Sequence, residues 1–221
     1  MRSRRLNLLL SLLLVAACQS EIDDKTAALV TETAGGAAAP PTSTAPPPDA
    51  TVSEVIEEKS SIEWVGAKVT RDHIGKFNDF SGYIQYAGGQ PARIAFSIDL
   101  NTIESDTEKL TAHLKSADFF DVARFPEATF VSTSITEAPA GATPPGTTHM
   151  VTGVLNLHGV QKEVTIPATT QLTADGVRTM SEFTINRHEW GISYRGAADD
   201  LIKDDVLIRL NLFFPPPPAQ A

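Results

Sequence analysis

Apolar residues recur at every second position over several segments of this chain, and this period constrains the fold more than any other feature. From Ile94 to Leu100, and again from Val206 to Phe214, alternate residues are aliphatic or aromatic. Successive side chains of a β-strand point to opposite faces, so the pattern is typical of strands with one buried face. Less regular strand-like runs lie at 61–69, 80–86, 128–135, 149–157, 163–169 and 177–186, and turn residues separate them.

These runs predict about eight strands and an all-β fold class. Eight antiparallel strands can close into a barrel whose interior holds side chains or one slender ligand. Closure also removes exposed strand edges, which favours the barrel. An open β-sandwich is the competing architecture.

One segment departs from the period of two. Ser105 and Glu108 have the spacing of a capping box, and Leu110 and Leu114 follow at helical spacing. The spacing predicts a short helix over 106–116, near one end of the barrel. Two aromatic residues follow this helix, so it either plugs that end or gates a cavity.

The start of the chain is typical of a bacterial secretion signal. Three arginines precede an apolar run over 6–17, and the run ends at Cys18, the only cysteine. Residues 15–18 resemble a lipobox, which predicts a signal peptide over 1–17 and lipid attachment at Cys18. An ordinary secretory signal with a chance cysteine is the alternative. A transmembrane anchor is disfavoured because the run is shorter than the ~20 residues that span a bilayer.

The rest of the chain divides by composition. Residues 18–55 are rich in Ala, Thr and Pro, which predicts a disordered tether with a reach on the order of 30 Å. Residues 56–215 hold the strand-like runs and form the predicted barrel domain. Residues 216–221 are a Pro-rich tail. Such a tether would hold the domain clear of the lipid headgroups.

Charge and motifs exclude several classes of function. The formal net charge is −9, which disfavours nucleic acid as a partner. With Cys18 acylated, no thiol remains for a disulfide or for catalysis. The five histidines lack the spacing of metal ligands, and no serine lies in a Gly-x-Ser-x-Gly elbow. We therefore expect no metal site and no enzymatic activity.

An ordered set of stretches resembles the YceI-like family of periplasmic lipid-binding proteins, over roughly residues 58–214. The resemblance implies a lipocalin-like barrel of eight antiparallel strands around an elongated apolar cavity. It also implies a bound polyisoprenoid, such as an isoprenoid quinone, with no cofactor required. The stretches are GKF at 75–77, FSG at 80–82, IDLNTI at 98–103, HLKSADFFD at 113–121, FPEATFVS at 125–132, GVLNLHGV at 153–160 and NRHEWG at 186–191.

Large apolar side chains are the candidates for contact with such a ligand, although each alone is as typical of an ordinary core. An isoprenoid tail needs a long apolar channel, and one polar group at the mouth suffices for its head. The head-group candidates are Lys76, Arg187 and His188. The ligand-binding candidates are Phe77, Phe80, Phe96, Ile98, Leu114, Phe119, Phe120, Phe130, Leu155 and Trp190.

Together these features predict a lipid-anchored extracytoplasmic protein that holds or carries an isoprenoid or similar amphiphilic lipid. Its membrane partner would be reached through Cys18, and a homodimer is compatible with the sequence. Gln19, rather than an inner-membrane retention Asp, favours the periplasmic face of the outer membrane. The alternatives are an accessory that presents a quinone to a membrane redox partner, and a side-chain-filled barrel with a structural or stress-related role.

Overall fold

A computed structural model describes residues 20–31, 44–46, 50–198 and 200–216 of the protein. The cysteine predicted to carry lipid, Cys18, lies outside these residues, as do the predicted signal peptide and most of the Pro-rich tail. One α-helix is present in the described part, α1 (Glu108–Lys115). The strands are β1 (Leu29–Thr31), β2 (Thr51–Glu54), β3 (Ser61–Lys68), β4 (Asp72–Phe77), β5 (Phe80–Ala87), β6 (Gln90–Asp99), β7 (Ile103–Ser105), β8 (Glu127–Glu137), β9 (His149–Leu157), β10 (Val160–Thr173), β11 (Gly176–Asn186), β12 (Gly196–Ala197) and β13 (Asp200–Phe214).

The strands form a curled antiparallel sheet in the order β2-β5-β6-β8-β9-β10-β11-β13-β3-β4-β7, with β1 and β12 attached at the sides. The all-β fold class is therefore confirmed. The predicted count of eight is not, because the described residues form thirteen strands, several of them short. Closure of the barrel is not confirmed either, since no strand pairing among these residues joins β2 to β7.

Each of the eight predicted runs coincides with a strand, and most strands extend beyond the predicted bounds. The strands missed include β4, whose sequence contains Asp72, Gly75 and Lys76 and lacks clear alternation. It pairs with β3 along one edge and with β7 along the other. Backbone hydrogen bonds supplied by two neighbours thus form a strand that its own residues do not predict.

The predicted helix is confirmed within two residues at each end, but its cap is different. The hydroxyl of Thr107, not that of Ser105, accepts the hydrogen bond from the backbone N–H of Leu110, at 3.4 Å. The side chain of Ser105 instead bonds to the backbone of Thr107. Both hydroxyls are good capping groups, and the backbone geometry of the turn decides between them.

Part of the segment assigned to the tether belongs to the folded domain. Residues 26–31 enter the sheet where β10 and β11 diverge, with β1 antiparallel to β10 and Ala28 N–H donating to Thr184 O at 2.8 Å. Ile22 is only 6% exposed, and β2 pairs with β5. Residues 32–43 and 47–49, also assigned to the tether, lie outside the described residues.

Candidate ligand-binding cavity

The curled sheet encloses an elongated cavity of about 220 Å³. Its wall runs along the inner face of β3 from Ile62 to Lys68, and these six residue steps of about 3.3 Å each give a length of about 20 Å. On β13 the wall extends from Ile202 to Leu212. No nitrogen or oxygen atom of the described residues is exposed on this wall, so a ligand inside would meet carbon alone.

Most of the predicted apolar candidates border this cavity. They come from separate strands and from the region of α1, which places residues distant in sequence around one space. The candidates on the wall are Phe77, Phe96, Ile98, Leu114, Phe119, Phe120, Phe130 and Leu155.

Two candidates, Phe80 and Trp190, are buried in the same core but do not border the cavity. Trp190 is fully buried in the turn that follows β11, and its indole N–H donates to Leu155 O at 3.4 Å. Phe80, the first residue of β5, is 5% exposed. Both rings therefore belong to the packed core and not to the cavity wall.

The sequence analysis missed much of the wall, including Trp64 and the inner face of β13. The indole of Trp64 lies against the backbone of Gly75, where any Cβ would overlap the ring. A Cβ on Gly66 would lie 3.5 Å from the same ring. A tryptophan beside glycines on paired strands was the signal that could have indicated this position. On β13 the signal was the alternation itself.

The region of α1 forms one side of the wall. Leu110 and Leu114 contribute from the helix, and Phe120 packs against Phe77 with ring centroids 6.2 Å apart. Phe119 contacts both His113 (4.9 Å) and Tyr194 (5.2 Å). These contacts join α1 to the loop after β11, and they close this side of the cavity with aromatic rings.

Of the head-group candidates, Arg187 alone borders the cavity, and its polar atoms point away from it. Its Nη1 donates to Ile192 O at 2.7 Å, its Nε donates to Lys203 O at 3.1 Å, and Nη2 lies 3.6 Å from Asp204. Burial lowers the pKa of Arg187, and the charge of Asp204 opposes that shift. The guanidinium thus joins the turn after β11 to the start of β13, so its main contacts are structural.

The other two head-group candidates lie outside the cavity. Lys76 is half-exposed and pairs with Glu104 at 3.7 Å in a shallow groove on the outside of β4. His188 Nε2 lies 3.1 Å from Asp204 Oδ1. Neither side chain reaches a ligand held inside the sheet.

Two polar residues that the sequence analysis did not single out, His73 and Lys68, border one end of the cavity with their carbon atoms. Arg71 Nε donates to His73 Nε2 at 3.2 Å, which assigns the ring proton to Nδ1, 2.9 Å from Asp106 Oδ1. The hydrogen bond from His73 is the main reason that the pKa of Asp106 lies below its usual range. Lys68 pairs with Asp200 at 3.3 Å.

Across the described ranges, no group of three or more His, Cys, Asp or Glu side chains is arranged to hold a metal ion. The histidines there have other partners, such as Asp118 for His113 and the carbonyl of Trp190 for His158. No helix in this part of the chain is long and apolar enough to cross a bilayer.

Comparison with known families decides the relationship. The model of the YceI-like domain matches residues 54–214, almost the whole of the described sheet. The chain belongs to the YceI-like family. A UPF0312 protein of Pseudomonas putida W619 is 34% identical over 144 residues, 61% of this chain and 71% of that protein. A UPF0312 protein of Shewanella sp. ANA-3 is 36% identical over 97 residues, 43% of this chain and 48% of that protein.

Two solved structures are similar in fold to this chain. BcnA of Burkholderia cenocepacia has 25% identity and a TM-score of 0.61, over 72% of this chain and 98% of BcnA. A polyisoprenoid-binding domain of Saccharophagus degradans, implicated in plant cell wall breakdown, has 18% identity and a TM-score of 0.60. That match covers 76% of this chain and 99% of the domain, and it shows a shared fold.

Proposed function

We propose that this protein binds one isoprenoid or similar amphiphilic lipid in the cavity and holds or carries it without turning it over. The observation that carries the proposal is the wall itself, about 20 Å of carbon surface inside the sheet on which no nitrogen or oxygen of the described residues is exposed. A flexible hydrocarbon tail gains free energy from every part of such a wall, whereas a polar ligand would lose its hydration without replacement.

The dimensions favour a thin chain over a compact molecule. The volume of about 220 Å³ lies below the ~300–1,000 Å³ typical of pockets for compact ligands, yet the wall is long. Aromatic rings such as Phe96 and Phe130, which face each other on paired strands, line it together with branched aliphatic side chains such as Ile98. This surface suits the methyl branches of an isoprenoid, and the relative from Saccharophagus degradans is a polyisoprenoid-binding domain.

The same surface supports binding without catalysis. A wall of carbon offers no nucleophile and no acid or base to a bound lipid. A cavity of this size also counts against the alternative of a barrel filled by its own side chains. A polyisoprenoid or an isoprenoid quinone would therefore be cargo, and no cofactor would be required.

The location is part of the proposal. Cleavage before Cys18 and acylation of its thiol and new amino group would anchor the protein in the cell envelope. Gln19 favours sorting to the periplasmic face of the outer membrane. There a binding protein would meet isoprenoid lipids at the bilayer surface.

Extraction of the native ligand tests the function. The protein is purified from the cell envelope without added lipid, denatured in organic solvent and analysed by mass spectrometry. We expect close to one lipid with an isoprenoid or other long hydrocarbon chain per folded protein. A folded protein that yields no such lipid, and that takes up no added prenyl alcohol, would overturn the proposal.

A further inference from the structure

The first described residues fix the start of the folded chain at one end of the sheet. Ser20 Oγ donates to Asp72 Oδ1 at 2.8 Å, and the backbone N–H of Glu21 donates to Asp72 Oδ2 at 2.7 Å. Asp72 is the first residue of β4, directly after the turn from β3. Ile22 then packs against the outer face of the sheet, in a buried cluster with Val65 and Leu207.

Ion pairs hold the same segment along its length. Asp23 accepts from Lys203 Nζ at 2.6 Å, Glu21 from Arg209 at 2.8 Å, and Lys25 donates to Glu182 at 2.5 Å. Singly, exposed pairs such as these contribute little. Together with buried Ile22 and the pairing of β1, they place the start of the segment at one position on the domain.

Two large apolar side chains are exposed at this end of the sheet. Val69, in the turn between β3 and β4, is 73% exposed, and Leu201, at the start of β13, is 48% exposed. The backbone N–H of Val69 donates to Leu201 O at 3.2 Å, so the two form one patch. Their chain neighbours Lys68 and Ile202 border the cavity. The patch therefore lies beside the end of the cavity.

The position of Cys18 relates this patch to the membrane. Only Gln19 lies between Cys18 and Ser20. Fully extended chain covers at most about 7 Å over these two residue steps. Acyl chains on Cys18 would thus enter the bilayer close to Asp72 and the turn that carries Val69. The predicted tether of about 30 Å would not lie between the anchor and this face of the domain.

We infer that Val69 and Leu201 insert into the surface of the bilayer, and that the neighbouring end of the cavity faces the membrane and exchanges its lipid there. The inference rests on the proposed acylation of Cys18 and on the proposed lipid binding. The partner is a phospholipid surface, contacted through apolar side chains beside a covalent anchor.

The charges at this end favour an apolar contact over attraction to anionic lipids. Lys68 pairs with Asp200 and Lys203 pairs with Asp23. Asp72 adds a further carboxylate. Arg71 lies close enough to Asp106 to lower the pKa of that carboxyl, and Arg195, whose carbonyl accepts from the backbone N–H of Ile202, is exposed. Because these carboxylates match the basic groups in number, anionic lipid in the bilayer would not strengthen the contact.

The opposite end of the sheet offers a matched control. Leu172 is 77% exposed at the end of β10, and it pairs with Val177, which in turn pairs with Phe214, the last residue of β13. Leu201 is the second residue of that strand. Thirteen residues of strand place Leu172 about 40 Å from Leu201 along the sheet.

Site-directed labelling tests the orientation. The full-length lipoprotein is purified from membranes, where acylation occupies its only native cysteine, and reconstituted into phosphatidylcholine vesicles. Leu201→Cys and Leu172→Cys variants are labelled with an environment-sensitive fluorophore, and a quencher is attached to the lipid acyl chains. We expect blue-shifted emission at position 201, quenched at least about threefold more than at 172. Equal quenching, stronger quenching at 172, or a mass showing no acyl chain on Cys18 would overturn the inference.

Transfer of a fluorescent prenyl alcohol from vesicles tests the exchange. A Val69→Gln, Leu201→Gln double variant should take up the probe roughly tenfold more slowly at unchanged final occupancy, because two aliphatic contacts with the bilayer are lost. Leu172→Gln should match the unsubstituted protein, and 30% phosphatidylglycerol in the vesicles, on the order of a bacterial content, should not speed uptake. Normal occupancy with equal rates in all variants would overturn the inference alone. No uptake by an unsubstituted protein that does carry extractable lipid would overturn the exchange at the membrane. No uptake together with no extractable lipid would overturn the proposed function, while the fluorophore measurement would still report the orientation.

Discussion

The two faces of strand β3 are both buried, but by different means. Its inner face, with Ile62 and Trp64, borders the cavity. Its outer face carries Val65, which is fully buried against Leu207 of the neighbouring strand and Ile22 of the N-terminal segment. The inner face leaves space that a ligand can fill, whereas the outer face is packed without that space.

This difference separates binding from stability within one strand. On the outer face, contacts with neighbouring protein atoms have replaced contacts with water. These side chains therefore contribute fully to the free energy of unfolding whether or not a ligand is bound. Atoms on the inner face gain their last contacts only when a ligand enters. Substitutions on the outer face should therefore lower stability, and those on the inner face should mainly alter lipid binding.

The largest expected effect comes from a substitution that displaces Trp64 from its position on the inner face. In Gly75→Ala the new Cβ would overlap both the indole and the carbonyl oxygen of Glu104, so strands β4 and β7 would have to separate. We expect the free energy of unfolding to fall by about 3 kcal/mol or more. Gly66→Ala faces the same ring at 3.5 Å and should cost less than about 1 kcal/mol in denaturant titration. Similar losses in both variants would contradict this account of the wall.

The second prediction compares a substitution on the outer face of β13 with one on its inner face. Leu207→Ala opens a void in the fully buried outer cluster and should lower the free energy of unfolding by about 3 kcal/mol. Leu210→Ala enlarges an existing cavity and should cost only about 1–2 kcal/mol in the lipid-free protein. Chemical denaturation of both lipid-free variants measures the difference, and the reverse order would show that the inner face carries the stability.

The alternation in β6 and β13 predicted both strands and, in β6, two residues of the cavity wall, Phe96 and Ile98, because side-chain direction follows from the period of two. It could not predict which inward side chains meet a cavity. Phe80 and Trp190 point into the same core, but neighbouring atoms fill the space around them. That outcome depends on packing among strands distant in sequence, which no local pattern records.

The sequence predicted burial on the outer face of the sheet less well than burial on the inner face. Alternation in β6 predicts that Ala95 and Ser97 face solvent, yet Ala95 is fully buried in a cluster with Tyr83 and Val131, and Ser97 is half-buried. Residues 20–31 have the composition of a disordered segment. They form structure because β10 and β11 diverge and offer free backbone groups, which is a tertiary cause.

A smaller effect should appear in lipid retention. Phe96 borders the cavity, and Phe96→Ser should weaken lipid binding by about tenfold, because the lost aromatic contact is worth roughly 1.4 kcal/mol. Ser97→Ala, on the opposite face of the same strand, should retain lipid normally. The lipid-to-protein ratio of the folded variants, measured by mass spectrometry, distinguishes them. Equal ratios would indicate that the inner face of β6 does not contact the lipid.

The smallest effect concerns the ion pairs that hold the N-terminal segment on the outer face. The hydrogen bond from Lys203 lowers the pKa of Asp23. Burial raises the pKa of Glu182, but hydrogen bonds from Lys25 and Arg209 outweigh it and leave this pKa below its usual range. A carboxyl whose pKa is lowered by folding stabilises the folded state above its unfolded pKa, near 4, and loses that contribution as the pH falls through the lowered value.

We therefore expect residues 20–31 to lose protection progressively as the pH falls below about 4 and towards the lowered pKa values, before the sheet unfolds. Amide hydrogen exchange read by mass spectrometry should show faster exchange in this segment at pH 3.5 than at pH 7, after correction for the intrinsic rate, while β9 and β13 stay protected. Asp23→Asn should show part of this loss already at neutral pH, with a smaller further change on acidification. If the hydrogen-exchange protection of the segment relative to β9 were the same at both pH values, the ion pairs would contribute nothing to holding it. In that case the burial of Ile22 and the pairing of β1 would be enough to hold the segment in place. The stability of the N-terminal segment on the outer face would then be independent of pH, as is expected for the carbon wall of the cavity on the inner face.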